Sequence, residues 1–202
     1  EIFKAKIKKD LESIAGGRWT EERKAEILAS RVEGTKRLAI ALSVLRTPPE
    51  VFLCASAVGY YGNRGEERVD EAAAPGSGFL ADVARAWEDS TSPAAAAGIR
   101  TVNLRFGVIL TSRGGALAKM LLPFKLGAGG PIGDGRQGFS WIALDDAIYA
   151  IHHLIRNDGV RGPVNVVAPD PLPQREFAAA LGRALHRPAV IPLPAPVVRV
   201  LF

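Results

Sequence analysis

Apolar and polar positions along the chain follow two periods, and their alternation lays out an order of elements. Ile2, Phe3, Ile7, Leu11 and Ile14 share one face at helical spacing with the lysines mostly outside it, so EIFKAKIKKDLES is predicted to be an amphipathic helix. Thr20 followed by Glu21 and Glu22 is a helix start, because a hydroxyl caps free N–H groups and carboxylates suit the positive end of the helix dipole. That helix is predicted to run to Leu45, where Arg46 to Glu50, with two prolines, stops it. Gly34 interrupts its periodicity and is read as a point where a neighbour packs close. The short apolar run VFLCASA reads as a buried strand, GFLADVARAWEDSTSPAAAAG as a helix and RTVNLRFGVIL as the next strand. Helix, strand, helix, strand is the order of a parallel sheet with crossover helices, an α/β class.

The second half is less regular. GGALAKMLLPFKLG is helical until Pro123, GAGGPIGDGRQG is a glycine loop, and SWIALDDAIYAIHHLIRN passes from strand into a helix with Asp145 and Asp146 near its start. GPVNVVAP is a further strand and QREFAAALGRALHR a closing helix. This half is expected to cover the mouth of a sheet whose strands end at residues such as Ala55 and Phe106.

Composition narrows the picture. With 202 residues, 48% hydrophobic, and a mean hydropathy of +0.10, the chain buries the core of one domain, or of one domain plus a small lobe. The single Cys54 builds neither a disulfide framework nor a thiolate zinc site, so no metal is expected and a reducing compartment is assumed. No signal peptide and no apolar run of spanning length is read, which places the protein in the cytoplasm, away from membranes. The apolar stretch AVIPLPAPVVRVLF is broken by three prolines and reads as a packed tail. The charge of +5 is spread through the chain with no basic stripe interleaved with aromatics, so no nucleic-acid partner is expected.

Gly133-Asp134-Gly135-Arg136-Gln137-Gly138 matches G-x-G-x-x-G, but that fingerprint works only when it leaves a strand and opens a helix whose N-terminus meets a pyrophosphate. Here it follows Gly-Gly-Pro and leads into FSWIAL, so it reads as a surface loop. ASAVGYYG, residues 55–62, is more informative: a buried strand opens into small residues and two phenols. Either the tyrosines cap a core, or the small residues admit a ligand to the backbone and the phenols present hydroxyls to it.

IAGGRWTEERK, SRVEGTKRL, ASAVGYYGNRG, FLADVARAWE, LRFGVILTSRGGALAKMLLPF and SWIALDDAI together resemble the atypical short-chain dehydrogenase/reductases (SDRs) of the NAD-dependent epimerase/dehydratase-like, nucleoside-diphosphate-sugar epimerase-type "epimerase family". The resemblance runs from about Ile14 to Phe202. It implies a partial Rossmann-type doubly wound parallel sheet with a small C-terminal substrate lobe. Residues 1–111 would be the C-terminal part of the dinucleotide-binding domain and 112–202 the substrate lobe, with about 140–167 returning to the sheet. The family's opening GxxGFIG-type strand, loop and helix is not found before IAGGRW, so the chain is expected to be part of a longer protein.

By the same resemblance, Ala55, Ser56, Ala57, Phe106, Gly107 and Val108 line a cofactor site, NADP(H) in preference to NAD(H). The residue after the second strand that reads the ribose 2′ position would lie outside this sequence. The catalytic slots depart from the family pattern: Ala57 stands at the substrate-polarising serine or threonine, Leu80 at the tyrosine, Ala84 at the lysine and Arg31 at the asparagine. Ser56, Tyr60 and Tyr61 remain as candidate catalytic residues, a tyrosine serving as substitute acid. Phe139 occupies the slot of the diphosphate-gripping arginine, which leaves Arg136 and Trp141 as candidate substrate contacts. The expected function is an NAD(P)-dependent oxidoreductase or epimerase with nonstandard catalytic residues, acting on a small carbonyl or sugar-like molecule. The alternative is an NADP(H)-binding sensor with little catalysis.

Overall fold

In the computed structural model, residues 20–192 are described. The helix expected over EIFKAKIKKDLES and most of the proline-broken tail lie outside them. The described chain is a mixed α/β protein with a parallel sheet, and it divides into two compact units.

Of the described residues, the first unit comprises 20–64, 68–106 and 149–166. Helix α1 (Glu21–Ser43) starts where the sequence indicates, with the Thr20 side chain accepting from the Arg23 N–H at 3.3 Å. Gly34 does not mark a close approach: a Cβ placed there would meet nothing within 4 Å. Strand β1 (Val51–Ala57) leads into a 3-10 turn over Val58–Tyr61. The helix expected from Gly78 to Gly98 is two helices, α2 (Phe79–Asp89) and α3 (Ser92–Ala96), the second carrying Pro93 in its first turn, where a missing N–H costs nothing. Strand β2 (Arg100–Phe106) lies between β1 and β6 (Gly162–Val166), all parallel, with Ala57 opposite Phe106 and Ser56 opposite Arg105. Among the described residues β1 is paired on one side only.

The period-2 alternation of β1 puts Phe52, Cys54 and Ser56 on one buried face. Phe52 and Cys54 pack with Ala39 of α1, Ala94 of α3 and Ile99, with Leu42 and Trp87 around them. Burial pushes the Cys54 thiol up to about 11, with the Glu88 carboxylate adding to it and the Thr35 hydroxyl working against it. Its ordinary value in an unfolded chain is about 8.5 to 9. The folded state therefore holds the proton longer, and this part of the stability is complete below about pH 8.5 and lost as pH rises toward 11. Relative to a Cys54→Ala variant, the protein should lose about 1 kcal/mol more of its unfolding free energy between pH 8 and pH 10 in denaturant titrations. Parallel pH dependences of the two proteins would contradict this.

Of the described residues, the second unit comprises 65–67, 107–148 and 167–192. The run RTVNLRFGVIL, expected as one strand, is split at Gly107, so that β3 (Val108–Leu110) pairs not with β1 or β6 but with β5 (Trp141–Ala143), in parallel. Glycine is needed at the break because a Cβ on residue 107 would sit 2.8 Å from the Ser140 carbonyl oxygen. Helix α4 (Gly115–Lys125) continues two residues past Pro123, the expected stop. Strands β4 (Gly138–Phe139) and β7 (Leu172–Pro173) form a short antiparallel pair ahead of helix α6 (Gln174–Ala184). Met120, Phe124, Phe177 and Ala178 make the core of this unit. Helix α5 (Leu144–Arg156) begins in the second unit and ends in the first. No described helix is long and apolar enough to cross a membrane.

Candidate functional site

The site is built at the carboxyl end of β1, where a parallel α/β sheet ordinarily offers its binding crevice. Ser56 is 4% exposed, and its hydroxyl donates to Glu88 Oε1 of α2 at 2.6 Å. Ala57 then gives way to the 3-10 turn carrying Tyr60 and Tyr61, whose rings stand edge to face with centroids 5.5 Å apart. The polar loop that follows folds back on this turn: the Gly76 N–H donates to the Tyr60 carbonyl at 2.9 Å. Only glycine serves there, since a Cβ on residue 76 would collide with the Tyr61 carbonyl and approach the Gly62 nitrogen to 2.6 Å. Arg64 holds the same loop through the Tyr61 and Ala74 carbonyls, at 3.1 and 2.6 Å.

At the centre lies Arg105, opposite Ser56 on β2 and 2% exposed. Its Nε and Nη2 donate to the two oxygens of Glu88, each at 2.8 Å, and its Nη1 donates to the Tyr61 hydroxyl at 2.9 Å. Burial opposes the guanidinium charge, but the bonds with Glu88 and Tyr61 outweigh it and hold Arg105 protonated above its ordinary range. The guanidinium carbon sits 3.5 Å from the centroid of the Tyr60 ring, a stacked cation–π arrangement. The Tyr61 hydroxyl in turn donates to Asn165 Oδ1 at 2.7 Å, and the Asn165 N–H donates to Glu71 Oε1 at 2.8 Å.

The structure thus brings three sequence candidates, Ser56, Tyr60 and Tyr61, around one buried cation, and it gives them different freedom. The hydroxyls of Ser56 and Tyr61 are engaged with Glu88, Asn165 and Arg105. Among the described residues, the half-buried Tyr60 makes no hydrogen bond through its hydroxyl. Leu80, in the slot that the resemblance gives to tyrosine, is 47% exposed, and a Cβ on Gly59 would lie 3.6 Å from its own. Ala84 is buried. Arg31 bonds the Ile27 carbonyl and lies over the Trp87 ring. Sequence reasoning missed Arg105, Glu88, Glu71 and Asn165. A charged residue inside the apolar run TVNLRF was the available signal, because a buried arginine needs a built partner.

Of the cofactor candidates, Ala55 is exposed and Ala57 and Phe106 are half-buried neighbours at the strand ends. The two alanines carry side chains small enough for a flat ring to be laid across the strand end. Gly107 and Val108 belong to the second unit, where the Val108 N–H donates to the Ser140 carbonyl at 2.8 Å. In that unit Trp141 is half-buried with its indole N–H buried and unpartnered, and its carbonyl accepts from the Ala168 N–H at 2.6 Å. Arg136 turns back on its own loop, bonding Asp134 at 3.0 Å and holding that carboxyl below the usual carboxylate range through its backbone N–H and then its side chain. GDGRQG opens into β4 and not into a helix, so it lacks the geometry of a dinucleotide fingerprint. Among the described residues, no cluster of three or more His, Cys, Asp and Glu side chains is placed to hold a metal ion.

Residues 10–168 match the model of the NAD dependent epimerase/dehydratase family. The chain is 41% identical over 179 residues to the epimerase family protein YfhF of Bacillus subtilis, covering 88% of this chain and 59% of that protein. It superposes on the crystal structure of human epimerase family protein SDR39U1 (isoform 2) with NADPH at a TM-score of 0.86 and 38% identity, over 92% of this chain and 63% of that one. A nucleoside-diphosphate sugar epimerase from Corynebacterium glutamicum matches at a TM-score of 0.72 and 36% identity, over 90% of this chain and 40% of that one. The UDP-glucuronic acid 4-epimerase of Bacillus cereus, 15% identical at a TM-score of 0.73, shares the fold. The chain spans about three fifths of the length of the curated relatives it matches.

Proposed function

Because this chain belongs to the NAD-dependent epimerase/dehydratase family, we propose that it forms the catalytic part of an NADP(H)-dependent oxidoreductase or epimerase in which Tyr60 replaces the family's tyrosine as proton donor. The observation that carries this reading is the difference among the hydroxyls at the end of β1: Ser56 and Tyr61 are committed to buried partners, while Tyr60 is not. When bound, a nicotinamide dinucleotide supplies hydride chemistry. Ala55, Ala57 and Phe106 would hold its ring at the strand ends. Tyr60 would give a proton to the carbonyl oxygen of the substrate as the carbonyl is reduced, and take it back in the reverse direction. NADP(H) is preferred over NAD(H) on the strength of the human relative's structure with NADPH.

A small carbonyl compound suits the site better than a sugar nucleotide. Arg136 spends its guanidinium on Asp134, and Phe139 stands where the resemblance places a diphosphate clamp. Ser56 and Tyr61 would act by holding the frame and not by proton transfer. The test is NADPH oxidation at 340 nm with a panel of aldehydes, ketones and α-dicarbonyls. Tyr60→Phe should lower kcat about ten- to a thousand-fold with an unchanged melting temperature, the range for loss of a general acid. Full turnover by this variant would refute the assignment.

A second reading is favoured by the apolar residues in the relay slots, Ala57, Leu80 and Ala84: a protein that binds NADP(H) and reports it through its stability or assembly. In that case NADPH raises the melting temperature, and no carbonyl compound is reduced.

A further inference from the structure

We propose that Arg105 is a positioning residue for Tyr60, fixing the phenol at the strand end through a stacked contact that Glu88 and Tyr61 lock in place. The inference rests on the proposed role of Tyr60 and goes beyond it, since it names what aims that side chain. A tyrosine on a short 3-10 turn has two soft side-chain torsions, and turn residues ordinarily sample several rotamers. Tyr60 has no hydroxyl partner among the described residues to select one. Its ring is instead held on its face by a guanidinium carbon 3.5 Å from the centroid. That guanidinium cannot swing away: three of its nitrogens are tied to Glu88 and Tyr61 at 2.8 to 2.9 Å, and it also points at the Glu71 carbonyl at 3.4 Å. The backbone is fixed as well, by the Gly76 N–H on the Tyr60 carbonyl.

The charge gives the arrangement a second property. A cation held against the ring face stabilises negative charge on the phenol more than on a neutral ring, which is the electrostatic service a neighbouring lysine performs elsewhere. With Ala84 in the lysine slot, Arg105 is the cation that the described residues place against Tyr60. Lysine is not its equivalent. An ammonium makes neither the two-pronged bond to Glu88 nor the flat stack on Tyr60.

The test uses the full-length protein with 3-fluorotyrosine incorporated, its Tyr60 resonance assigned by Tyr60→Phe. In Arg105→Lys, which retains a cation in the buried site, the Tyr60 fluorine signal should shift and change width while the Tyr149 signal stays, in the absence of cofactor and substrate. An unchanged Tyr60 signal in folded Arg105→Lys overturns the inference, whatever Tyr60 does in catalysis. If Arg105→Lys does not fold, Glu88→Gln, which keeps an acceptor for the guanidinium, takes its place with the same expected shift.

In the NADPH-linked assay with an α-dicarbonyl probe, Arg105→Lys should lower kcat at least ten-fold and leave the KM for NADPH unchanged. Combined with Tyr60→Phe it should add less than two-fold, because both changes remove one function. Multiplying effects in the double variant, or a rise in KM alone, would mean that Arg105 acts structurally, and would overturn the inference while leaving Tyr60 in place. Full turnover by Tyr60→Phe would remove the underlying reading and the inference together. Absence of turnover in the unaltered protein would remove the catalytic reading, and the fluorine spectrum then decides alone whether Arg105 holds Tyr60.

Discussion

Glu88→Ala should destabilise the protein by about 3–5 kcal/mol, the cost of stranding a buried charge. The side chains of Arg105 and Glu88 are 3% and 10% exposed, so water does not take over when the carboxylate is removed. Two bonds to the guanidinium and one from Ser56 are lost at once. Breaking the pair from one side is worse than removing it from both, because an apolar pair leaves no charge to solvate. A double variant with methionine at 88 and 105 should therefore recover much of the loss. Urea titrations followed by circular dichroism report the comparison. A Glu88→Ala protein within about 1 kcal/mol of the parent would show that the cation finds solvent, and the site would not be the rigid frame described above.

The second large effect is expected at Arg100→Met, which should cost at least about 3 kcal/mol, taking hydrogen bonds to a charged donor at about 1.5–3 kcal/mol each. Arg100 starts β2, is 5% exposed, and serves as the cap of helix α5. It donates to the carbonyls of Leu154, Asn157 and Val160 through Nη1 at 2.9 to 3.4 Å, and to that of Ile155 through Nη2 at 3.0 Å. The end of a helix leaves carbonyls without partners and carries partial negative charge, so one guanidinium answers both needs. The salt bridge to Asp158 at 3.4 Å adds little, since that carboxylate is 89% exposed. Accordingly Asp158→Ala should be nearly neutral in the same titration. If the two substitutions cost the same, the helix-capping account fails.

How much of this was legible in the sequence differs by element. Thr20, Glu21 and Glu22 announced α1 because a cap acts locally, and VFLCASA announced β1 because a buried parallel strand reads as an unbroken apolar run. The splitting of RTVNLRFGVIL between two sheets was not legible, since it depends on the Ser140 carbonyl crowding residue 107 from a distant part of the chain. Pro123 misled for a related reason. It forgoes one hydrogen bond near the end of α4, where Phe124 is 2% exposed and packed in the core of the second unit, so packing outweighs the missing donor. Within the site, the two tyrosines and Ser56 stood out because small residues and phenols follow an apolar strand. Their unequal freedom did not, because it is decided by Asn165 and Glu88, 104 and 32 residues away from the hydroxyls they receive.

The one-sided pairing of β1 bears on how the polypeptide behaves in the test tube. Along seven residues of a strand, alternate N–H and C=O groups face away from β2 with no ladder partner among the described residues. That row is a template for any extended segment of matching length, and its side chains, VFLCASA, include no charge, proline or bulge of the kind that discourages sticking. Handled by itself at high concentration, this polypeptide would be prone to stacking edge to edge into soluble aggregates and then precipitate, with a light-scattering signal that rises with concentration. A lysine introduced at Val51, half-buried at the start of the strand and apart from the proposed cofactor residues, would be a charged gatekeeper against that route, and would be the first change to make in preparing samples for spectroscopy.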